Sequence, residues 1–196
     1  MNVLFAGSAT VSITALKAIA ESRRHQVIGV ITQPDRKKGR GLLECAPPIK
    51  TATHALGLKL FQPESINSPE FIETLKGLKP DVMVVYAYGQ KLCQATLDLP
   101  AYGCINIHPS LLPKYRGAAP VNHAILNGDR ETGVTIFRMT AKMDAGPIIK
   151  QATTTIGPEQ TAVELGGHLA ELGAQMLGQA LDDIEQGKAI LQAQDE

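Results

Sequence analysis

The amino-acid sequence lacks the features that mark several specialised classes of protein. Its 19 basic and 19 acidic residues give a net charge of zero, so charge alone predicts neither a nucleic-acid nor a membrane partner. Tryptophan is absent and aromatic residues make up only 4% of the chain, which disfavours a stacking platform for single-stranded nucleic acid. No stretch reaches the roughly 18 uncharged apolar residues of a membrane span, and the first residues lack the basic flank of a secretory signal. We therefore expect a soluble, cytoplasmic protein that has no membrane partner.

Cysteine and histidine spacing gives no support for a metal site. Cys45, Cys93 and Cys104 are widely separated and include no Cys-x-x-Cys pair, so the sequence predicts neither a disulfide framework nor a zinc knuckle. We expect them to be buried thiols. The histidines at positions 25, 54 and 168 show no ligand spacing either. We therefore predict that the protein needs no metal.

Two hydrophobic patterns alternate along the chain. A chain of 196 residues can bury roughly 70% of the surface that it exposes when unfolded, which is enough for one α/β core. Near-continuous apolar runs at 2–6, 26–32, 81–86 and 104–107 predict strands of a parallel sheet, whereas apolar residues at helical spacing predict helices at 11–20, 119–126 and 161–185. Alternating patterns at 133–139 and 147–155 predict a final antiparallel pair. The predicted fold is α/β, a Rossmann-like open, mostly parallel sheet with helices on both faces.

Ligands of open α/β sheets bind beyond the carboxyl ends of the strands, so the segments after the apolar runs are the candidates for function. Gly7 follows the first run, but the residues after it supply neither the further glycines of a dinucleotide loop nor a Gly-Lys-Ser/Thr motif. A tight strand-to-helix turn is the preferred interpretation there. The segment after the fourth run, at 105–117, carries more chemistry.

Asn106 and His108 stand two residues apart at the end of a predicted buried strand, so strand alternation points both side chains to the same face. Asp144 lies in a separate turn rich in glycine and proline, from which a carboxylate could fold over the same crevice. Together these residues offer an amide donor for a developing oxyanion, an imidazole for proton transfer and a carboxylate that would keep the imidazole charged. A lone histidine at a strand end is more often a hydrogen-bonded surface residue, so spacing alone leaves both interpretations open.

The motif Asn106-x-His108, followed by Ser110-Leu111-Leu112-Pro113, resembles the signature of the folate-dependent formyltransferase family, and Met143-Asp144-Ala145-Gly146 matches its downstream acidic motif. The resemblance runs in register from residue 3 to about residue 158. Further segments are similar to the branch of that family whose members act on methionyl-tRNA. They lie at 5–7, 32–36, 39–41, 62–63, 87–89 and 115–120.

This resemblance implies transfer of a formyl group from 10-formyltetrahydrofolate to the α-amino group of methionine on initiator methionyl-tRNA. Asn106 and His108 would donate to the developing oxyanion, and Asp144 would keep His108 charged and help to move protons. Family members hold the pterin partly by backbone, between the loop after the fourth strand and the acidic loop. The residues so implied are Tyr86, Ala87, Tyr88, Gly89, Leu92, Ser110, Leu111, Leu112, Pro113 and Met143.

Four basic residues, Arg36, Lys37, Lys38 and Arg40, fall within five positions of the segment after the second run. A charge run is commonly a solvated turn. In the tRNA-acting branch, however, the corresponding insertion enters the acceptor arm of the tRNA. The resemblance therefore implies that these four residues bind tRNA through its phosphates.

The family resemblance also implies a domain organisation. Residues 1–187 would form a catalytic domain that acts as a monomer, and residues 188–196 would begin a linker to a C-terminal β-barrel domain that is absent from this chain. Two alternatives remain open at this point. One is a short formyltransferase that acts on a small amine, such as glycinamide ribonucleotide or an aminosugar nucleotide. The other is a non-catalytic folate- or RNA-binding remnant.

Overall fold

A computed structural model describes residues 1–38 and 43–195. The six strands and three helices that the two hydrophobic patterns predict are present, and the described ranges also hold three short strands and three helices between residues 36 and 97 that the patterns do not predict. The strands are β1 (Asn2–Gly7), β2 (Gln26–Ile31), β3 (Arg36–Lys38), β4 (Leu43–Cys45), β5 (Leu60–Phe61), β6 (Val82–Tyr86), β7 (Cys104–His108), β8 (Glu131–Arg138) and β9 (Ile148–Thr155). The helices are α1 (Ser12–Ala20), α2 (Pro48–Ala55), α3 (Pro69–Leu78), α4 (Gln94–Leu97), α5 (Pro120–Leu126) and α6 (Ala162–Glu185).

The main sheet has seven strands in the order β5-β2-β1-β6-β7-β8-β9. The strands from β5 to β7 pair in parallel, while β8 and β9 pair antiparallel at the end of the sheet. The chain moves from β1 to β2 on one side and later to β6 on the other, so the strand order reverses at β1. Crevices at such a reversal are where open α/β sheets bind ligands.

Apolar side chains form a core on each face of the sheet, which confirms the predicted three-layer architecture. On one face α1 and α6 cover alternate residues of β1, β6 and β7 through buried residues such as Leu16 and Leu177. On the other face Leu75 of α3 and Leu97 of α4 pack against Leu4 and Met83. Helix α6 begins with a capping box, in which Thr161 and Glu164 exchange side-chain and backbone hydrogen bonds. Of the helices in the described ranges, none is long and apolar enough to cross a membrane.

The prediction of three buried thiols was wrong for two of them. Cys104 is buried in β7, and burial raises the pKa of its thiol to about 12. Cys93 is exposed at the start of α4, and Cys45 is half-buried. Cys104 lies in an inner strand of the main sheet, whereas Cys45 lies in the two-stranded β3–β4 sheet, and cysteine spacing alone does not report this difference.

An ion-pair network closes the amino-terminal edge of the sheet, beside an open hollow of about 730 Å³. His25 lies 3.0 Å from Asp182, and Glu185 adjoins them, so these three side chains would be close enough to share a metal ion. Their carboxylates already face cations, however. Arg24 lies 3.0 Å from Asp182 and 3.4 Å from Glu185, and the ammonium group of Met1 lies 3.1 Å from Glu185. These ion pairs account for the clustering of the acidic residues.

Candidate active site

Asn106 and His108 lie in the last residues of β7 and border the same cavity of about 640 Å³. The prediction that strand alternation brings them to one side is confirmed. The cavity opens at the carboxyl ends of β6 and β7, next to the reversal of strand order at β1. The site therefore lies where the topology of an open sheet leaves a crevice.

The imidazole of His108 is oriented by the backbone of a loop that follows it in the chain. His108 is 5% exposed, and its Nε2 lies 2.8 Å from the carbonyl oxygen of Tyr115. Because a carbonyl oxygen only accepts, Nε2 must carry the hydrogen of that bond. Nδ1 is then the atom at which the ring gains or loses a second proton.

Asp144 reaches the imidazole on its Nδ1 side. One carboxylate oxygen, Oδ2, lies 3.7 Å from Nδ1 of His108 and accepts a 2.8 Å hydrogen bond from the backbone amide of Gly117. The hydrogen bond from Gly117 fixes the position of this carboxylate oxygen beside the imidazole ring. The structure thus brings the predicted carboxylate and imidazole together.

The loop that carries Asp144, residues 139–147 between β8 and β9, must fold back over the sheet to make this contact. Strand β8 runs antiparallel to β7 and ends with Arg138 opposite Ile105, three residues before His108. At about 3.3 Å per residue, the loop therefore begins roughly 10 Å from the end of β7 where the imidazole lies. Asp144 itself adopts a left-handed backbone conformation, with φ of 46°.

The carboxamide of Asn106 makes no hydrogen bond to any residue in the described part of the chain, although Asn106 is half-buried at the cavity wall. Its N–H donors are therefore available to a ligand. A neutral donor, an imidazole and a carboxylate converge on one cavity, and this combination can stabilise negative charge on an oxygen and move a proton close by.

Two loops supply much of the cavity wall, namely residues 85–92 after β6 and residues 139–144 after β8. Of the residues predicted to surround a pterin, six border the cavity. They are Tyr86, Ala87, Tyr88, Gly89, Leu92 and Met143. The left-handed conformations of Ala87 and Gly89, with φ of 49° and 91°, turn the backbone of the first loop at this wall.

Tyr86 and Tyr88 are both 2% exposed and each belongs to one of the two cores. Burial raises the pKa of Tyr86 to about 12 and also raises the pKa of Tyr88, so both phenols stay neutral. The carbonyl of Tyr88 accepts hydrogen bonds from the side chains of Ser8 and Gln33. These contacts fix the loop from behind, and the tyrosines serve as wall residues.

The other four predicted pterin residues, Ser110, Leu111, Leu112 and Pro113, do not border the cavity. They lie behind the site instead. Ser110 is fully buried and its hydroxyl donates to the carbonyl of Lys114, while Leu112 packs against Phe137. The family resemblance implied that these residues surround the pterin, but the chain turns away from the cavity after Pro109.

The basic segment forms one side of a small hairpin, in which β3 pairs antiparallel with β4. Arg36 and Lys37 are exposed, and Arg36 forms a 2.6 Å ion pair with Glu64. Lys38 ends β3, and Arg40 lies outside the described residues. One of the four predicted tRNA contacts thus has an acidic neighbour on the protein itself, at an exposed position where such pairs contribute little stability.

Sequence reasoning missed the backbone groups that orient the site. The carbonyl of Tyr115 and the amide of Gly117 hold His108 and Asp144, and both residues have left-handed conformations, with φ of 58° and 90°. Glycine adopts that conformation at no steric cost. Gly117 was therefore the one signal of this turn in the sequence.

A family model for formyl transferases matches residues 1–181 of this chain. The chain is 42% identical over 196 residues to the methionyl-tRNA formyltransferase of Citrifermentans bemidjiense. It is 46% identical over 189 residues to that of Pelotomaculum thermopropionicum. These alignments cover 100% and 96% of this chain but 61% and 60% of the relatives, so the chain spans about three fifths of the length of the curated relatives it matches.

Solved structures of formyltransferases share the fold. Glycinamide ribonucleotide transformylase 1 from Symbiobacterium toebii superposes with a TM-score of 0.78 at 23% identity, over 99% of this chain and 93% of that one. The sugar 3N-formyl transferase WlaRD, solved in the presence of dTDP and 5-N-formyl-THF, gives a TM-score of 0.73 at 19% identity, over 100% and 67%. At these identities the likeness establishes the fold.

We predict that Thr135 is the main support of the loop after His108. Its buried hydroxyl donates to the carbonyl of Ser110 and accepts from the backbone amide of Leu112 and the side chain of Gln151. Thr135→Val keeps the shape but leaves buried groups unpaired, at about 1–3 kcal/mol. Chemical denaturation should show that loss. Thr153→Val, at an exposed position of the neighbouring strand, should change stability by less than about 0.5 kcal/mol. Equal losses in the two variants would contradict the assignment.

Proposed function

The chain belongs to the formyl transferase family, and from that premise we propose that it transfers a formyl group from 10-formyltetrahydrofolate to the α-amino group of methionine on initiator methionyl-tRNA. The chain spans about three fifths of the length of its curated relatives, and both the activity and the acceptor are proposals for this chain. In this proposal residues 1–187 form the catalytic domain, and the domain acts as a monomer in the cytoplasm.

The observation that carries the proposal is the convergence of Asn106, His108 and Asp144 on one cavity. Formyl transfer to an amine develops negative charge on the formyl oxygen, and it requires one proton to leave the amine and another to reach the departing nitrogen. A free carboxamide and an imidazolium suit the first demand, and an imidazole beside a carboxylate suits the second. The Asn106 amide has no partner in the described part of the chain, so it can donate to the formyl oxygen without losing a contact within the protein.

We assign the roles as follows. The N–H of Asn106 and the protonated ring of His108 stabilise the oxygen that becomes negative, and each such donor contributes about 3–4 kcal/mol. His108 holds its mobile proton on Nδ1, because Nε2 already donates to Tyr115. Asp144 faces the ring from 3.7 Å away as the partner of its positive charge during the reaction, and the Gly117 amide fixes that carboxylate in place.

10-Formyltetrahydrofolate supplies the activated formyl group, and the cavity has features that fit it. Its volume of about 640 Å³ is within the range of small-molecule sites, and the walls combine apolar side chains with the backbone of two loops. A pterin edge presents both donors and acceptors, which main-chain groups can pair without charged side chains. Residues 86–92 and 139–144 would hold that edge, while Ser110 to Pro113 would support the wall from behind.

The acceptor is proposed from two features of the chain. Two curated relatives that align with at least 96% of this chain, at 42% and 46% identity, are methionyl-tRNA formyltransferases. The small-amine enzymes that match it by structure include one at 18% and one at 28% identity. The β3–β4 hairpin also presents Arg36 and Lys37 to solvent, as expected of a surface that meets phosphates.

An acceptor panel tests the proposed activity. The chain is incubated with 10-formyltetrahydrofolate and, separately, methionyl-tRNA, glycinamide ribonucleotide and an aminosugar nucleotide, with uncharged tRNA as the control that lacks the amine. We expect formylated product with methionyl-tRNA alone, measured by mass spectrometry of the released aminoacyl group. If product forms only with a small amine, that amine replaces methionyl-tRNA as the acceptor. Folate binding without any product would favour the non-catalytic alternative.

We predict that His108→Ala and Asp144→Ala each lower turnover by at least about 100-fold, since each removes charge stabilisation or proton transfer at the reacting atoms. Both variants should keep the thermal unfolding midpoint within a few degrees of the parent chain. The matched controls are His168→Ala and Asp98→Ala, which change exposed residues remote from the cavity. Near-parental rates in either site variant would remove these roles.

Charge removal from the hairpin tests the tRNA surface. The triple variant Arg36→Ala, Lys38→Ala, Arg40→Ala should weaken methionyl-tRNA binding and reduce the slope of log affinity against log salt by about 0.7–0.9 for each phosphate that the protein no longer neutralises. Folate binding should be unchanged. A triple variant of exposed residues elsewhere, Lys17, Lys76 and Lys188 to Ala, removes the same charge. A salt slope that both triples lower equally, or that neither lowers, would count against the hairpin.

A further inference from the structure

We propose that Gln194, in the extended segment after α6, is a positioning residue that holds the Asp144 turn against His108. The kinetic part of this inference rests on the proposed function, while the structural part stands on the contacts of Gln194 alone. Nothing in the family signature points to this residue, because it lies beyond the matched residues 1–181.

The side chain of Gln194 joins the two loops that build the site. Its Nε2 donates to the carbonyl oxygens of Asp144 at 3.0 Å and of Gly146 at 2.7 Å. Its Oε1 accepts from the guanidinium of Arg116, at 3.0 Å from Nε and 2.8 Å from a terminal nitrogen. One carboxamide therefore spans from the acidic turn to the loop after β7.

These partners fix the orientation of the carboxamide without ambiguity. A guanidinium has only donors and a backbone carbonyl has only acceptors. The reverse orientation would set the amide nitrogen against Arg116 and the amide oxygen against the two carbonyls. The contact thus requires a side chain that accepts on one atom and donates twice from the other, and glutamine meets that requirement where glutamate or methionine does not.

Arg116, which binds the oxygen of the carboxamide, lies between two residues that contact the site. Arg116 stands between Tyr115, whose carbonyl orients His108, and Gly117, whose amide binds the Asp144 carboxylate. Fixing Arg116 therefore fixes both neighbours in the chain. The same carboxamide also binds the backbone carbonyl of Asp144. One side chain therefore positions both the Asp144 carboxylate and, through Arg116, the backbone that orients His108.

The Asp144 turn needs such a restraint. A non-glycine residue in the left-handed region costs about 1–3 kcal/mol and persists only where its surroundings impose it, and Asp144 has φ of 46°. The turn is also carried by a loop that starts beside Ile105, at the other end of β7 from His108. A small shift of this loop would separate the carboxylate from Nδ1.

The backbone pairing of the terminal segment explains how Gln194 arrives at the turn. Gln192 pairs antiparallel with Ile148, and their amides and carbonyls exchange hydrogen bonds of 2.7 and 2.9 Å. In antiparallel register a step of two residues on each strand sets Gln194 opposite Gly146. The segment therefore pairs with the first residue of β9 and places the carboxamide at the turn that precedes that strand.

The test compares Gln194→Met with Gln192→Met. Methionine is of similar length but lacks both the donors and the acceptor. Gln192 lies on the same segment, is exposed and pairs through its backbone, so its variant controls for any general effect on the segment. We expect Gln194→Met to lower kcat about 10- to 100-fold, as for a site residue misplaced by about 1 Å, with KM for 10-formyltetrahydrofolate within about twofold of the parent. Gln192→Met should match the parent chain.

Hydrogen exchange of the Gly117 amide provides a readout that does not depend on activity. That N–H donates to Asp144, so its exchange should accelerate at least about 10-fold in Gln194→Met, as expected when local opening becomes easier. Exchange should stay at the parental rate in Gln192→Met. Parental exchange in Gln194→Met, equal acceleration in both variants, or a fall in kcat without faster exchange would each overturn the inference.

A double-variant cycle covers the case in which Gln194→Met disturbs more than the contact. Arg116→Met breaks the same contact from the other side. The Gly117 amide of the double variant Arg116→Met, Gln194→Met should exchange no faster than that of the faster-exchanging single variant, because the two residues act through one bond network. Additive effects would show that they act separately and would overturn the inference.

If the parent chain transfers no formyl group to any acceptor, the proposed function fails, while the exchange measurements still decide the role of Gln194.

Discussion

The carboxylate of Asp144 has to reach His108 from a loop that begins at the other end of the same strand. That distance is the main constraint on the site, since β8 ends opposite Ile105 and the imidazole lies at the carboxyl end of β7. The fold meets it with contacts to the backbone of the turn and to the carboxylate itself. The Gly117 amide binds the carboxylate and the Gln194 side chain binds the turn, so the contact between Asp144 and His108 depends on a glycine turn and on the terminal segment as well as on its own two residues.

The contacts of the two ring nitrogens of His108 assign its mobile proton to Nδ1. The side chain of His108 is 7% exposed and that of Asp144 17% exposed, so water screens their interaction less than it would at the surface. The Tyr115 carbonyl occupies Nε2 and the carboxylate faces Nδ1. In the proposed reaction the Asp144 carboxylate therefore stabilises positive charge on the ring from its Nδ1 side. Asn106 adds a neutral donor, whose N–H groups have no other partner in the described residues.

The sequence was sufficient to predict six of the seven strands of the main sheet, the final antiparallel pair and the convergence of Asn106 with His108, because strand alternation and strand ends follow directly from apolar patterning. It did not predict β5, whose two residues are too few to form a pattern. It did not predict the positions of Ser110 to Pro113, which lie behind the wall because the chain turns away after Pro109. It contained no sign of Gln194, since a contact made by one polar side chain with two backbone carbonyls leaves no pattern along the chain. Cys93 was misjudged for a related reason, as exposure depends on where a residue falls in an element.

The most direct measurement is a crystal structure of the chain with 5-formyltetrahydrofolate, an analogue that carries its formyl group on a different nitrogen. The account predicts that the pterin lies between residues 86–92 and 139–144, and that the nitrogen which would bear the transferable group lies within about 4 Å of both Asn106 and His108, as a near-attack arrangement requires. Density for the folate in another part of the molecule, or a bound folate with that nitrogen remote from both side chains, would contradict it.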